Sequence, residues 1–212
     1  MKKMRERPII FNADMVRAVL DGRKTQTRRI MRVQPEVIPK EDEFGKPGFW
    51  IPFNAGKTML RNEDMYIACP FGFKGDRLWV REAFRVHSRA TDVATLVYKA
   101  SEQQSWTQQT HRVPIEKCNK PAVVDTWTPS IHMPRWASRI TLEITGVRVE
   151  RLRDLSEQDA KSEGVMPPAG GVLPGWEHRI NFRDLWMSIY DADNWEANPW
   201  VWVIEFKRVE VE

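Results

Sequence analysis

The closing segment of the chain limits its fold most strongly. From Pro199 to Phe206 nearly every position is apolar, so an extended segment here would have to bury both of its faces. A strand that is covered on both sides lies in the middle of a sheet and not at its edge. The run therefore predicts a central strand, for which the rest of the chain must supply neighbouring strands and covering layers.

Strand patterns outnumber helical patterns in this sequence. Apolar alternation or β-branched content marks four further strand segments, at residues 8–11, 77–84, 91–100 and 138–150. Helical spacing follows three favourable N-cap residues, Asn12, Ser156 and Asn181. No regular alternation of strand and helix is present. The pattern predicts a mixed α+β, mainly β fold, built as a small, partly closed β-barrel with helices packed at its ends.

The length of 212 residues predicts a single domain that carries insertions. Three segments lack any apolar period, and we expect them to be irregular loops. Proline and glycine recur in the first and third, whereas glutamine and threonine are frequent in the second. They lie at residues 34–74, 101–131 and 166–180.

The charge and the tryptophan content indicate an anionic, aromatic partner. The first 33 residues contain ten lysines or arginines and three acidic residues, although the net charge of the whole chain is only +4. A basic end on a near-neutral body is typical of nucleic-acid binding, while the alternative is a solvated basic tail. Ten tryptophans suit the stacking of unpaired bases, although tryptophans also build cores.

The sequence also argues against several other classes of protein. No apolar run approaches the ~20 residues that a membrane helix needs, and the apolar run at residues 9–11 is too short for a signal peptide. We therefore expect a cytoplasmic protein. The four histidines and two cysteines lack metal-ligand spacing, so we expect no metal and no cofactor.

The run from Gly22 to Arg29 carries the strongest chemical signal. Gly22 follows a helical segment at the position where a glycine ends a helix, and a lysine, two threonines and three arginines lie in the next seven positions. Such a cluster can hold a phosphate or another anion. Alternatively, a lysine beside a threonine can act as base and nucleophile. Lys24 and Thr27 are an odd number of positions apart, so a regular strand would place their side chains on opposite faces.

Four segments, in order, resemble the pattern of ASCH domains, which have a PUA-like β-barrel fold. These segments are Gly22–Arg29, Gly75–Val80, Leu155–Gly164 and Val203–Lys207. The longer form, with its stretch Ser130–Arg139, is similar to ASCH proteins carried by bacteriophages and prophages. The resemblance implies a PUA-like barrel that binds RNA or modified bases.

One bacterial ASCH member is an N4-acetylcytidine amidohydrolase that uses a lysine, a threonine and a glutamate. These fall on Lys24, Thr27 and Glu163 of this chain. The resemblance therefore implies an amidohydrolase that acts on an N-acylated cytidine-like base. The expected substrate-binding residues are Gly22, Arg28, Arg29, Arg135 and Trp136. The alternative is a module that binds RNA or a modified base without chemistry, and a weaker one is a ribonuclease.

Overall fold

The computed structural model describes residues 4–38, 48–53, 56–168, 175 and 177–210. Its strands and α-helices follow in the order β1 (Glu6–Ile10), α1 (Ala13–Leu20), β2 (Gln26–Ile30), β3 (Glu36–Ile38), β4 (Gly48–Phe53), β5 (Gly56–Arg61), β6 (Arg77–Arg81), β7 (Phe84–Arg89), β8 (Val93–Tyr98), α2 (Trp106–Gln109), β9 (Thr110–Pro114), β10 (Thr141–Arg151), α3 (Glu157–Ser162), α4 (Glu177–Tyr190), α5 (Ala192–Glu196) and β11 (Trp200–Val209). Strand residues outnumber helical residues, which confirms the mixed, mainly β fold.

The chain separates into two compact units, each assembled from segments that are distant in sequence. The first unit comprises residues 1–22, 77–143 and 208–212, and the second comprises residues 23–76 and 144–207. Strands β10 and β11 therefore each contribute residues to both units. The predicted single domain and PUA-like barrel stay predictions.

In the first unit, β6 is flanked by β1 and by the beginning of β10. The β1–β6 pair is parallel, with Ile9 opposite Val80, and the β6–β10 pair is antiparallel, with Leu78 opposite Leu142. A second sheet has the strand order β7-β8-β9. Its buried side chains form one apolar cluster, which includes Phe84, Leu96 and Tyr98.

In the second unit, β11 lies between β10 and β2. Val201, Val203 and Ile204 are fully buried, so the prediction of a central strand is confirmed. The β2–β11 pair is antiparallel, with Thr27 opposite Ile204. Helix α4 adds Phe182 and Trp186 to the apolar cluster that contains Val201 and Val203.

The helices begin and end at residues that the sequence marks. The Asn12 side chain accepts a hydrogen bond of 2.8 Å from the backbone N–H of Met15, and Ser156 forms a capping box with Asp159. Gly22 and Gly164 follow α1 and α3 with φ values of +73° and +84°, which favour glycine. None of the described helices combines the length and apolar character that crossing a membrane requires.

The first two predicted loop insertions contain regular structure, so their predicted irregularity is wrong. Residues 34–74 contribute the sheet β3-β4-β5, and residues 101–131 contribute α2 and β9, which pairs with β8. Short strands gain their conformation here from hydrogen bonding to a neighbouring strand, which a search for long apolar periods does not detect.

The third predicted insertion is described only in part. Residues 169–174 and 176 lie outside the described residues, and α4 is already helical at Glu177. The predicted N-cap at Asn181 is therefore wrong. The Asn181 side chain instead donates a hydrogen bond of 2.6 Å to the carbonyl of Met166.

Candidate functional site

Backbone hydrogen bonds fix Lys24 just before β2 in the second unit. Lys24 and Glu163 form an isolated antiparallel bridge, and the N–H of Thr25 donates to the carbonyl of Ser162 at 2.9 Å. The carbonyl of Thr25 accepts a hydrogen bond of 2.8 Å from the N–H of Phe206 in β11. The segment that carries Lys24 is thus held between the end of α3 and the central strand.

The Glu163 carboxylate is bonded to two buried cations. Lys24 Nζ donates to Glu163 Oε2 at 2.8 Å and to the Glu163 carbonyl at 2.9 Å. Arg28 Nη1 donates to Glu163 Oε1 at 3.3 Å. The exposed fractions of the side chains are 1% for Lys24, 4% for Glu163 and 0% for Arg28. Because water is largely excluded, these charges interact strongly.

Burial changes the protonation chemistry of Lys24. Loss of hydration lowers the pKa of the Lys24 ammonium from its ordinary value of 10.5, although the charge and hydrogen bond of Glu163 oppose this change. The charges of Arg29 and Arg28 lower the pKa further. The neutral amine, which is the form that can accept a proton, therefore becomes accessible at lower pH than in an exposed lysine.

The arginine at position 28 extends this cluster towards the surface. Arg28 Nη2 donates to Glu150 Oε2 at 2.8 Å and lies 3.6 Å from Asp159 Oδ2. Burial acts to raise the pKa of Asp159, but the hydrogen bond from Ser156 and the charges of Arg28 and Arg148 lower it overall. The carboxylates around Arg28 thus hold its guanidinium in place.

A second arginine completes the outer part of the network. Arg148 donates to Glu150 and Glu205 and, at 2.7 Å, to Asp159 Oδ1. A Cβ atom at Gly146 would come within 2.6 Å of Glu205 Oε2, so only glycine leaves Glu205 in this position. Sequence reasoning missed these residues. The available signal was the charge at alternate positions 148 and 150 of a predicted strand, which places both side chains on one face.

Thr27 does not join the Lys24–Glu163 pair. Its neighbours in β2, Gln26 and Arg28, both contact the charged network, and strand alternation directs the Thr27 side chain to the opposite face. Thr27 is 2% exposed. Within the described residues, no hydrogen bond joins the Thr27 hydroxyl to Lys24.

The other predicted substrate-binding residues occupy different places. Arg29 is half-buried in β2 opposite Trp202, and Gly22 ends α1 in the first unit. Arg135 and Trp136 also belong to the first unit. The structure thus brings together Lys24, Arg28 and Glu163.

Neither a metal site in the described part of the chain nor a known relative adds to the description of this site. Among the described residues, no group of three or more histidine, cysteine, aspartate or glutamate side chains is arranged to hold a metal ion. Comparison with protein-family models, curated proteins and solved structures gives no match for this chain. The resemblance to ASCH domains therefore stays a prediction.

Proposed function

We propose that this chain is a cytoplasmic ASCH-type amidohydrolase that removes an acyl group from an N-acylated cytidine-like base. The observation that carries the proposal is the contact of 2.8 Å between the buried Lys24 ammonium and the Glu163 carboxylate. A lysine with a lowered pKa and a carboxylate in direct contact is an arrangement suited to proton transfer.

The chemistry requires a proton acceptor and a proton donor. In the proposed reaction, the neutral Lys24 amine takes a proton from a water molecule as its oxygen bonds to the acyl carbon. The resulting ammonium then protonates the departing amino group of the base as the C–N bond breaks. Glu163 orients Lys24 through both steps, and the products are a carboxylic acid and the deacylated base.

Thr27 offers a second route for the attack. If its hydroxyl were the nucleophile, an acyl-enzyme would form and water would release the acid. The strand alternation that separates Thr27 from Lys24 favours direct attack by water. Thr27→Val removes the hydroxyl with little change of shape. Direct attack predicts that this variant retains kcat within about threefold, and a loss of ~100-fold or more would establish the covalent route.

Burial favours a second candidate function. With Lys24 and Glu163 at 1% and 4% side-chain exposure, the pair also suits a structural role beneath a site that binds RNA or a modified base without turnover. Binding would then persist in Glu163→Gln, which keeps the side-chain shape and removes the charge. A hydrolase requires in addition that the substrate gains access to this pair.

Turnover separates the two candidates. Purified protein is incubated with N4-acetylcytidine, N4-propionylcytidine and N4-benzoylcytidine, and the release of cytidine is measured by chromatography. The hydrolase predicts release of cytidine and a loss of about 10²–10⁴-fold in kcat for Glu163→Gln, with the circular dichroism spectrum unchanged. If the native protein releases no cytidine from any of these substrates but binds them, the non-catalytic module is the correct function.

A further inference from the structure

A groove in the first unit contains an uncompensated concentration of positive charge. Two adjacent cavities, of about 600 and 500 Å³, share His111 and Arg135 in their walls. Because they share these residues, we treat the two cavities as one feature, the His111 groove. Its other cationic side chains are Arg112, Lys117, Arg139 and Arg208.

The charge of the groove is largely unpaired. Arg135 donates to Glu6 Oε2 at 3.0 Å, and Arg139 is paired with Glu82. In contrast, Arg112, Lys117 and Arg208 are exposed and form no ion pair within the described part of the chain. The only carboxylate that lines either cavity, among the described residues, is that of Glu210. Three cations are thus available to an anion from solution.

The groove also offers aromatic surface. His111 and the half-buried Trp136 both line the first cavity. Burial, and then the charge of Arg139, lower the pKa of His111, so its imidazole is predominantly neutral at pH 7. A neutral imidazole and an indole can stack on a base or hydrogen-bond to it, whereas the cations suit phosphates.

A cavity in the second unit shows what distinguishes the His111 groove. That cavity, of about 700 Å³, is also lined by arginines, including Arg153 and Arg183. However, Arg153 lies 3.5 Å from Glu196 Oε2, and Arg183 lies 2.8 Å from Asp184 Oδ1. Arg153 and Arg183 therefore have anionic partners within the chain, and they provide a matched control for the cations of the groove.

We propose that the His111 groove binds a single-stranded nucleic acid, with Arg112, Lys117 and Arg208 contacting its phosphates. Two adjoining cavities can accept successive nucleotides, and cations interleaved with aromatic side chains are typical of surfaces that follow a single strand. This site lies outside the Lys24–Glu163 pair and does not depend on amide hydrolysis.

Fluorescence anisotropy with a labelled 12-nucleotide oligouridine tests the proposal. The full chain is titrated at 50, 100 and 200 mM NaCl, because each phosphate contact to a single strand adds about 0.7 to the slope of log K against log salt. The triple variant Arg112→Ala/Lys117→Ala/Arg208→Ala should bind at least about tenfold more weakly at 100 mM and reduce that slope by about 2. All three side chains are exposed, so the variant should fold as the native protein does, which circular dichroism checks.

Matched controls identify the ligand and the site. The double variant Arg153→Ala/Arg183→Ala, in the second unit, should keep its affinity within about twofold. Uridine monophosphate should compete weakly, and a duplex of the same length should bind more weakly than the single strand. An unchanged affinity and salt slope in the triple variant would overturn the site. Equal or tighter binding of the duplex, or full competition by the mononucleotide at equal phosphate concentration, would overturn the assignment to a single strand.

Discussion

Each unit of the molecule contains a buried pair of opposite charges, and the two pairs are built from different cations. In the first unit, Arg139 contacts Glu82 through two nitrogens, at 2.9 and 3.0 Å. Its guanidinium lies 3.9 Å from the centre of the Tyr98 ring. In the second unit, Lys24 contacts Glu163 through a single ammonium at 2.8 Å. Glu82 and Glu163 are similarly buried, at 2% and 4% exposure.

The difference between the pairs lies in what each cation can do with a proton. An arginine guanidinium stays charged in proteins and its planar fork matches a carboxylate, so Arg139 can only orient and stabilise Glu82. A buried lysine can lose its proton, and its pKa is lowered here. Equal burial therefore does not imply equal function, since only the cation of the lysine pair can give up its proton.

Exchange of the two cations gives the largest expected effect. Lys24→Arg keeps the positive charge but cannot act as a base, so kcat for N4-acetylcytidine should fall by about 10²–10⁴-fold. Arg139→Lys, the reverse exchange in the first unit, should leave kcat within about twofold. Steady-state kinetics measures both, and thermal unfolding verifies that each variant is folded. Retained turnover in a folded Lys24→Arg variant would remove Lys24 from the proposed reaction.

Removal of each carboxylate should affect stability unequally. Glu82→Ala strands a charged Arg139 beside Tyr98, and we expect it to lower the free energy of unfolding by about 3–5 kcal/mol. Glu163→Ala should lower it by less, because Lys24 can shed its charge and Arg28 retains Glu150. Urea unfolding at pH 7 measures the two values. A larger loss for Glu163→Ala would show that Lys24 remains charged when unpaired.

The dependence of stability on pH distinguishes the lysine directly. Because the folded-state pKa of Lys24 is below 10.5, the unfolded chain binds more protons than the folded chain between these two values. In that window this group makes the free energy of unfolding rise with pH, by at most about 1.4 kcal/mol per pH unit. Below it, the penalty for burying the charge is fully present. The free energies of unfolding of the native protein and of Lys24→Met are measured in urea from pH 7 to 10. The native value minus the variant value should rise with pH, and a difference that stays constant contradicts the prediction.

The smallest effect should come from the outer network of the second unit, that is, the ion pairs of Arg148 with Glu150, Asp159 and Glu205. Gly146→Ala would place a Cβ atom 2.6 Å from Glu205 Oε2, which forces that partly exposed side chain away from Arg148. Since only the end of a flexible side chain must move, we expect a destabilisation of about 1 kcal/mol or less and an unchanged kcat. Urea unfolding and the cytidine assay measure both. A large fall in kcat would show that the outer network controls the Lys24–Glu163 pair.

Local signals in the sequence predicted several features of the fold. The caps at Asn12 and Ser156, the stops at Gly22 and Gly164 and the central strand at Pro199–Phe206 each follow from a few neighbouring residues. The strands β3–β5 and β9 were missed because they depend on pairing with other segments. Sequence patterns predict an element most reliably where interactions between neighbouring residues determine its conformation.

The candidate site was predictable in part. Sequence resemblance identified Lys24 and Glu163, which the structure brings into contact, whereas the carboxylate of Glu150 beside Arg28 emerges only in three dimensions. Strand alternation already argued that Thr27 faces away from Lys24. The division of the charged residues between two units was not visible, because each unit gathers segments from distant parts of the chain.

The chain alternates between the two units along its sequence, and this order has a consequence for folding during synthesis and for limited proteolysis. Neither unit corresponds to one continuous stretch, since the chain changes unit after residues 22, 76, 143 and 207. A single proteolytic cut or a simple truncation therefore cannot yield either unit intact. During synthesis, Lys24 can pair with Glu163 only after a further 139 residues have been added. The sheet of the second unit can likewise form only after β11 has been synthesised. Such long-range dependence predicts slow folding and a benefit from chaperones that shield the early segments.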